Sequence, residues 1–173
     1  MGDSVTEIRQ SLVLVGFMAA GKTRIGRLLA ERLGLPFVDT DKSIEQSFGL
    51  PVADIFRERG EPEFRKAERA LIASLLAGEP KVVSIGGGAF LDAETRGALL
   101  AGARTIWLDP PFGVVLARLA RSGSKRPLAA GKTPEDIRRL WEARRPFYAQ
   151  AHVRIATSGG DPETVVKRIL DSV

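Results

Sequence analysis

Short apolar runs alternate with longer amphipathic stretches along this chain of 173 residues. The first run, LVLVG at residues 12–16, is apolar at successive positions, which is typical of a strand covered on both faces. In residues 25–33, isoleucine and leucine recur at three- and four-residue steps, and Gly34 follows. This spacing predicts an amphipathic helix that ends near the glycine.

The same alternation continues to the end of the chain. Further strands are predicted for four apolar runs, at residues 36–40, 81–85, 103–111 and, more weakly, 152–157. Helical segments such as FRKAERALIASLLAG separate them. Strands that alternate with helices predict an α/β fold, in which helices cover both sides of a parallel sheet of five strands. The length fits one domain spanning residues 1–173.

Two regions depart from the alternation. Residues 41–69 form a long helical stretch between two predicted strands, and residues 118–132 are rich in Arg, Gly, Ser and Lys with little apolar content. Long insertions on an α/β scaffold usually carry substrate pockets and lids. We therefore expect the first region to bind a substrate and the second to form a lid.

Composition narrows the possible functions. The chain has no cysteine and one histidine, so a bound metal would have oxygen ligands. The net charge is +5 and arginine is the commoner basic residue, which favours anionic ligands. Basic residues are mixed with acidic ones and aromatic residues are few, so we expect no nucleic-acid partner. Neither a signal peptide nor a membrane-spanning run is evident, and we expect a cytoplasmic monomer without a membrane partner.

The stretch GFMAAGKTR matches the phosphate-loop pattern G-x-x-x-x-G-K-[ST] at Gly16, Gly21, Lys22 and Thr23. It follows a predicted strand and opens a predicted helix, so backbone N–H groups and the helix N-terminus would face phosphates. Lys22 would reach the transferred group and the Thr23 hydroxyl would hold Mg²⁺. The stretch predicts an ATP and Mg²⁺ site whose remaining loop residues are Met18, Ala19, Ala20 and Arg24.

Two aspartates, Asp39 and Asp41, follow the second predicted strand, where an open parallel sheet has its ligand crevice. If both belonged to the strand, they would share one face, with one near magnesium and the other near an acceptor hydroxyl. The alternative is that Asp41 caps a helix that begins near Lys42. The VDTD pattern alone leaves both possibilities open.

Three successive glycines, Gly86, Gly87 and Gly88, follow the predicted strand at residues 81–85. Glycine forfeits backbone entropy, so a triplet is reasonable where unusual dihedral angles are needed or where something approaches the backbone closely. Its place at a strand end favours a ligand, although a permissive loop is the simpler alternative.

Five sequence blocks resemble the shikimate kinases in order and spacing, over nearly the whole chain from residue 11. They are GFMAAGKTRIGRLLAERLGLPFVDTD, FR at residues 64–65, IGGGAF, SKRPL and RRPFY. The resemblance implies a P-loop NTPase fold of three αβα layers. It also implies transfer of the γ-phosphoryl group of ATP to the 3-hydroxyl of shikimate, with Mg²⁺, in aromatic amino-acid biosynthesis.

The resemblance also implies a role for individual residues. Asp39 would assist magnesium through water, with Ser84 nearby, and Asp41 would bind and deprotonate the shikimate hydroxyl. Arg65 and Arg144 would bind the substrate carboxylate, with Arg145 as the alternative to Arg144.

The remaining roles implied by the resemblance concern the substrate ring, the lid and the adenine. The glycines at 86–88 would lie against the ring, and Arg126 in the lid would reach both phosphate and substrate. Arg121 and Pro162 would lie beside adenine. Lys22, Asp41 and Arg126 would be the catalytic residues.

Two loop residues depart from the family pattern. Ala19 stands where glycine is usual and Arg24 where serine or threonine is usual. Because alanine has less access to positive φ, loop geometry or nucleotide affinity could differ from that of relatives. Two other functions remain open: a kinase for another small hydroxy acid such as gluconate, and a nucleotide-binding module without catalysis.

Overall fold

The computed structural model describes residues 8–122, 131–158 and 160–173. In this part of the chain, five parallel strands form one sheet in the order β2-β3-β1-β4-β5. The strands are β1 (Leu12–Val15), β2 (Phe37–Asp39), β3 (Val82–Ser84), β4 (Arg104–Asp109) and β5 (Val153–Ala156). The predicted α/β class with a five-stranded parallel sheet is confirmed.

The described helices cover both faces of this sheet. They are α1 (Lys22–Leu33), α2 (Thr40–Phe48), α3 (Val52–Arg59), α4 (Glu61–Ala77), α5 (Ala93–Gly102), α6 (Phe112–Ser122), α7 (Pro134–Tyr148) and α8 (Pro162–Leu170). None of them is both long and apolar enough to cross a bilayer.

Strand β1 shows why the sheet forms. All four of its residues are buried, and successive side chains point to opposite faces. Val13 and Val15 pack in one apolar cluster with residues from α4 to α7, whereas Leu12 and Leu14 pack in another with residues from α1 and α8. A continuous apolar run is therefore what this central position requires.

Helices α2, α3 and α4 occupy the predicted helical insertion at residues 41–69. A separate apolar cluster of Ile44, Ile55 and Phe64, one residue from each helix, holds them together. Gly49 ends α2 with φ of 66°, and Gly60, with φ of 84°, separates α3 from α4. These bends turn the three helices into a compact unit beside the carboxyl ends of β2 and β3.

The predicted lid at residues 118–132 begins inside a helix. Its first residues are the last turns of α6, which buries Phe112, Val115 and Leu119 against the sheet. Its end precedes Thr133, which caps α7 by accepting a hydrogen bond from Asp136 N. The apolar spacing of α6 thus continues through Leu119 into the predicted lid, and lid residues 123–130 lie outside the described residues.

Candidate active site

The phosphate-loop stretch joins β1 to the N-terminus of α1. Gly16 has φ of 146°, and a Cβ atom there would lie 2.7 Å from the Leu108 carbonyl oxygen, so only glycine fits. Gly21 precedes α1 with φ of 96°. The N–H groups of the first turn of a helix favour negative charge, so this end of the sheet is suited to bind phosphate.

Lys22 is fixed over the loop. Its Nζ donates hydrogen bonds to the carbonyl oxygens of Gly16 at 2.8 Å and Phe17 at 3.0 Å. Both acceptors are neutral, so the ammonium charge is not neutralised by these two contacts. The side chain lies where a phosphate on the loop would meet it.

The remaining loop residues contribute mainly backbone. Met18, Ala19 and Ala20 are buried, and their side chains belong to the core. Ala19 has φ of 60° and is the one residue other than glycine with positive φ among those the structure describes. Holding alanine in this conformation costs about 1–2 kcal/mol. The loop therefore keeps the shape that a glycine would allow, at a cost in strain.

Thr23 and Asp39 meet at the end of β2. The Thr23 hydroxyl donates to Asp39 Oδ2 at 2.7 Å, and Asp39 Oδ1 accepts from the N–H of Lys42 at 3.3 Å. Ser84 pairs with Asp39 in the register between β2 and β3, and it is buried. A hydroxyl and a carboxylate converging beside a phosphate loop form the all-oxygen ligand set that Mg²⁺ prefers.

Asp41 lies in the first turn of α2, not in a strand. The prediction that both aspartates share a strand face was wrong, because β2 ends at Asp39 and the chain turns directly into a helix. The alternative that Asp41 caps this helix was also wrong, since Asp39 is the cap. Burial and the negative charge of Asp39 raise the pKa of Asp41, and the positive charge of Lys22 opposes this.

The glycine triplet is explained by close approach. None of Gly86, Gly87 and Gly88 has positive φ. A Cβ atom on Gly86 would lie 2.7 Å from Asp41 Oδ1, and one on Gly88 would overlap the guanidinium of Arg65. Larger residues would displace the two charged side chains that face this loop.

Arg65 is held beside this loop by a carboxylate that the sequence interpretation missed. Its Nη1 donates to Glu68 Oε2 at 2.6 Å, and Nε donates to Glu61 at 3.4 Å. Glu68 is 1% exposed, and its Oε1 has no hydrogen-bond partner among the described residues. Burial raises the pKa of Glu68, and the charge of Arg65 opposes this. Glu68 follows Arg65 by three positions on α4, and this helical spacing was the sequence signal that could have predicted the ion pair.

Arg144 and Arg145 point to different parts of the molecule. Arg144 is 8% exposed, and its Nη1 would lie 3.5 Å from a Cβ atom on Gly87. Its Nε and Nη1 have no hydrogen-bond partner in the described part of the chain. Arg145 instead donates to both carboxylate oxygens of Asp109, at 2.5 and 3.1 Å. Of these two neighbouring arginines, Arg144 is therefore the one that faces the glycine triplet.

Tyr148 ties the glycine triplet to α7. Its hydroxyl donates to the Gly87 carbonyl oxygen at 2.6 Å, and the residue is 1% exposed. Burial raises the pKa of Tyr148 to about 12, so the hydroxyl stays protonated and remains a donor. Tyr148 therefore packs its ring in the core and also fixes the position of the loop through its hydroxyl.

A hollow of about 120 Å³ lies beside the phosphate loop, between α1, α6 and the start of α8. Pro162, Arg24 and Arg118 are among its lining residues. Arg118 Nη1 donates to the Ala19 carbonyl oxygen at 2.9 Å. Burial and the like charge of Arg24 lower the pKa of Arg118.

The structure brings Arg118 to this hollow, whereas Arg121 lies exposed one turn further along α6. Helical spacing was the sequence signal that could have identified Arg118. Residue 118 follows the buried Val115 by three positions, so the two lie on the same face of α6. Arg126 lies outside the described residues.

Comparison with known proteins adds three findings. A model of the family described as "Shikimate kinase" matches residues 18–173. The shikimate kinase of Symbiobacterium thermophilum is 47% identical over 94% of this chain and 95% of its own length. A solved structure, shikimate kinase from Acinetobacter baumannii in complex with shikimate, is 36% identical, with a TM-score of 0.89 over 95% of this chain and 93% of that one.

Proposed function

The chain belongs to the shikimate kinase family, and on that premise we propose that it transfers the γ-phosphoryl group of ATP to the 3-hydroxyl of shikimate. The products are shikimate 3-phosphate and ADP, a step in aromatic amino-acid biosynthesis. The observation that carries the proposal is Arg144, a buried guanidinium that faces a glycine loop beside a phosphate loop and has two nitrogens without a hydrogen-bond partner among the described residues. An uncompensated buried charge calls for an anion, and a substrate carboxylate supplies one.

ATP would bind with its phosphates on the loop from Gly16 to Thr23 and its base in the hollow beside Pro162 and Arg118. The backbone amides and the N-terminus of α1 favour negative charge there. Arg24 adds a second cation to this hollow. Its departure from the family pattern strengthens the attraction for a nucleotide polyphosphate and removes no group that the reaction needs.

Mg²⁺ would be held by the Thr23 hydroxyl and by Asp39, the latter through water. The pair fits the ion because both groups offer oxygen ligands and their oxygens already lie 2.7 Å apart. When bound, the ion neutralises charge on the β- and γ-phosphates. Ser84, in register with Asp39, would orient a water of this ligand set.

Shikimate would lie between the glycine triplet and α4, with its carboxylate between the guanidinium groups of Arg65 and Arg144. Two arginines on opposite sides of one carboxylate would fix both the orientation and the position of the shikimate ring. The 3-hydroxyl would then point toward Asp41, which approaches Gly86 from the side of the phosphate loop.

Asp41 would accept the proton of the attacking hydroxyl. Its raised pKa brings its basicity closer to that needed for proton transfer near neutral pH. Lys22 would stabilise charge on the transferring phosphoryl group, and we assign the same role to Arg126 in the lid. Catalysis would then consist mainly of positioning and charge stabilisation, and closure of the lid would keep water from the γ-phosphate.

We further propose that the protein acts as a monomer in the cytoplasm, with shikimate and ATP as its ligands and no nucleic-acid or membrane partner. One domain spanning residues 1–173 would carry all of these functions.

A coupled assay of ADP release tests the proposal. With ATP and magnesium, we expect turnover with shikimate and none above background with gluconate or nucleoside monophosphates. Higher turnover with gluconate than with shikimate would instead identify the protein as a kinase for another hydroxy acid. ATP binding without any shikimate-dependent ADP release would instead identify a non-catalytic module. Lys22→Ala should abolish shikimate-dependent release and serves as the negative control.

A further inference from the structure

A second hollow, of about 350 Å³, opens at the β5 edge of the sheet, whereas the glycine triplet follows β3. It lies where β4 and β5 end and is closed laterally by α7 and α8. The residues that matter for its chemistry are Asp109, Trp141, Arg145, Arg154, Thr157 and Arg168. We call this space the outer hollow.

Asp109 is the acidic group of the outer hollow and binds two arginines at once. It is 6% exposed and accepts two hydrogen bonds from Arg145. Its Oδ2 also accepts from Arg154 Nε at 2.9 Å and lies 2.6 Å from Arg154 Nη2. One carboxylate between two guanidinium groups leaves an excess of one positive charge around the buried Asp109.

Arg168 adds a third positive charge. It is exposed on α8, and its Nη1 donates to the Ala156 carbonyl oxygen at 2.6 Å. Among the described residues that line the outer hollow, three are therefore cationic and one is anionic. Each guanidinium carries five N–H donors, and the contacts to Asp109 and Ala156 use only some of them. The side chains of Arg145 and Arg154 are 27% and 58% exposed, so a ligand in solution can reach them.

A buried hydroxyl also lines this space. Thr157 is 5% exposed, and its Oγ1 has no hydrogen-bond partner in the described part of the chain. Thr157 also lines the hollow beside Arg118, so it lies between the two spaces.

We propose that the outer hollow binds a small dianion with oxygen ligands, of the carboxylate or the phosphate type. Excess positive charge and unused N–H donors are the features that recognise such a ligand. This site is separate from the shikimate and ATP sites, and it does not depend on which hydroxy acid the enzyme phosphorylates.

The two tryptophans of the chain report on this site. The Arg145 guanidinium lies 5.0 Å from the Trp107 ring centroid and 4.4 Å from that of Trp141, and Arg154 lies 4.9 Å from Trp107. An anion that binds these arginines changes the charge next to both indoles. Tryptophan emission of the full chain therefore detects occupancy directly, without any measurement of turnover.

The experiment is a titration of tryptophan emission with sodium sulfate and, separately, with sodium succinate. Saturating ADP is present throughout, so that the phosphate loop is already filled, and sodium chloride at matched ionic strength is the reference. We expect a saturable change with at least one dianion and none with chloride. Tighter binding of sulfate would indicate a phosphate-type ligand, and tighter binding of succinate would indicate a carboxylate.

Two variants locate the binding. Arg168→Gln removes an exposed cation and leaves Asp109 paired, and Arg154→Gln removes a second one. Each should weaken dianion binding about tenfold, the value of one charge-assisted hydrogen bond. Arg139→Gln is the control, because it removes one positive charge from an exposed position on α7. This variant should bind the dianion as tightly as the wild type. The proposal is overturned if both dianions give only the chloride response, or if Arg168→Gln and Arg154→Gln bind as tightly as Arg139→Gln.

Discussion

The nucleotide half and the acceptor half of the proposed active site use different chemical groups. On the nucleotide side, the loop from Gly16 to Gly21 offers backbone N–H groups, and the side chains of Met18, Ala19 and Ala20 are turned into the core. On the acceptor side, charged side chains from separate helices converge on glycines that provide space rather than contacts. The first half depends on conformation, and the second on individual charged groups.

This difference explains which substitutions the family pattern tolerates. Ala19 replaces a usual glycine, and the loop still reaches positive φ because its neighbours are fixed in the core. On the acceptor side, adjacent arginines are not interchangeable. Arg144 faces the glycine triplet with unpartnered nitrogens, whereas Arg145 is bound by Asp109. Loss of a charged group there should therefore cost more than a change within the loop.

The largest effect is expected for Asp41→Asn. The amide keeps the size of the side chain but cannot accept the hydroxyl proton, so kcat should fall by roughly 10²–10⁴. Calorimetry with ADP should give an affinity within about twofold of the wild type. Asp54→Asn makes the same change in charge on α3 and is the control. If kcat of Asp41→Asn equals that of Asp54→Asn, Asp41 is not the base.

Arg144→Ala should raise the KM for shikimate about a hundredfold, because it removes charge-assisted hydrogen bonds to a buried carboxylate worth about 3 kcal/mol together. The neighbouring substitution Arg145→Ala should act differently. It leaves Asp109 with only Arg154, so the free energy of unfolding should fall by about 2 kcal/mol while the KM rises far less. Steady-state kinetics and urea unfolding on both variants separate the two effects. A larger KM change in Arg145→Ala would reverse the assignment.

Glu68→Gln tests whether an acid that positions Arg65 matters to substrate binding. The neutral amide weakens the 2.6 Å contact with Arg65, so the KM for shikimate should rise about tenfold with kcat nearly unchanged. Glu61→Gln is the matched control, because its contact with the same arginine is 3.4 Å long and exposed. Equal KM values for the two variants would show that Glu68 has only a structural role.

The raised pKa of Asp41 also predicts a dependence of stability on pH. A carboxyl group whose pKa is higher in the folded state than in the unfolded state destabilises the fold at pH above that folded pKa. Asp41→Asn should therefore unfold at higher urea concentration than the wild type at pH 7. This difference should shrink as the pH falls through the raised pKa and wild-type Asp41 becomes protonated. A difference that is constant down to pH 4 would contradict the raised pKa.

The smallest effect is expected for Ala19→Gly, on the half of the site built from backbone. Glycine relieves the strain of positive φ but gains entropy in the unfolded chain, so the net change should be stabilisation by about 1 kcal/mol or less. Thermal unfolding should show a rise in Tm of at most about 4 °C, and the KM for ATP should change less than about twofold. A large loss of ATP affinity would mean that the alanine has a direct role in nucleotide binding.

The sequence by itself predicted the alternation of strands and helices and the phosphate-loop pattern. Apolar runs such as residues 12–15 are typical of central strands, and the spacing of Gly16, Gly21 and Lys22 predicts a loop through local backbone geometry. Both inferences depend on residues close together in the chain. The family resemblance extended them to Arg65 and the glycine triplet.

Tertiary structure decided what depends on residues far apart in the chain. It placed Asp41 in a helix, because β2 ends at Asp39. It also separated two neighbouring arginines of α7: Arg144 faces the glycine triplet, and Arg145 is bound by Asp109 at the end of β4. It also brought Arg118 rather than Arg121 to the nucleotide hollow, and gave Arg65 a buried carboxylate partner. Where a long side chain points depends on the packing and charge around it, and these are fixed only when distant segments meet.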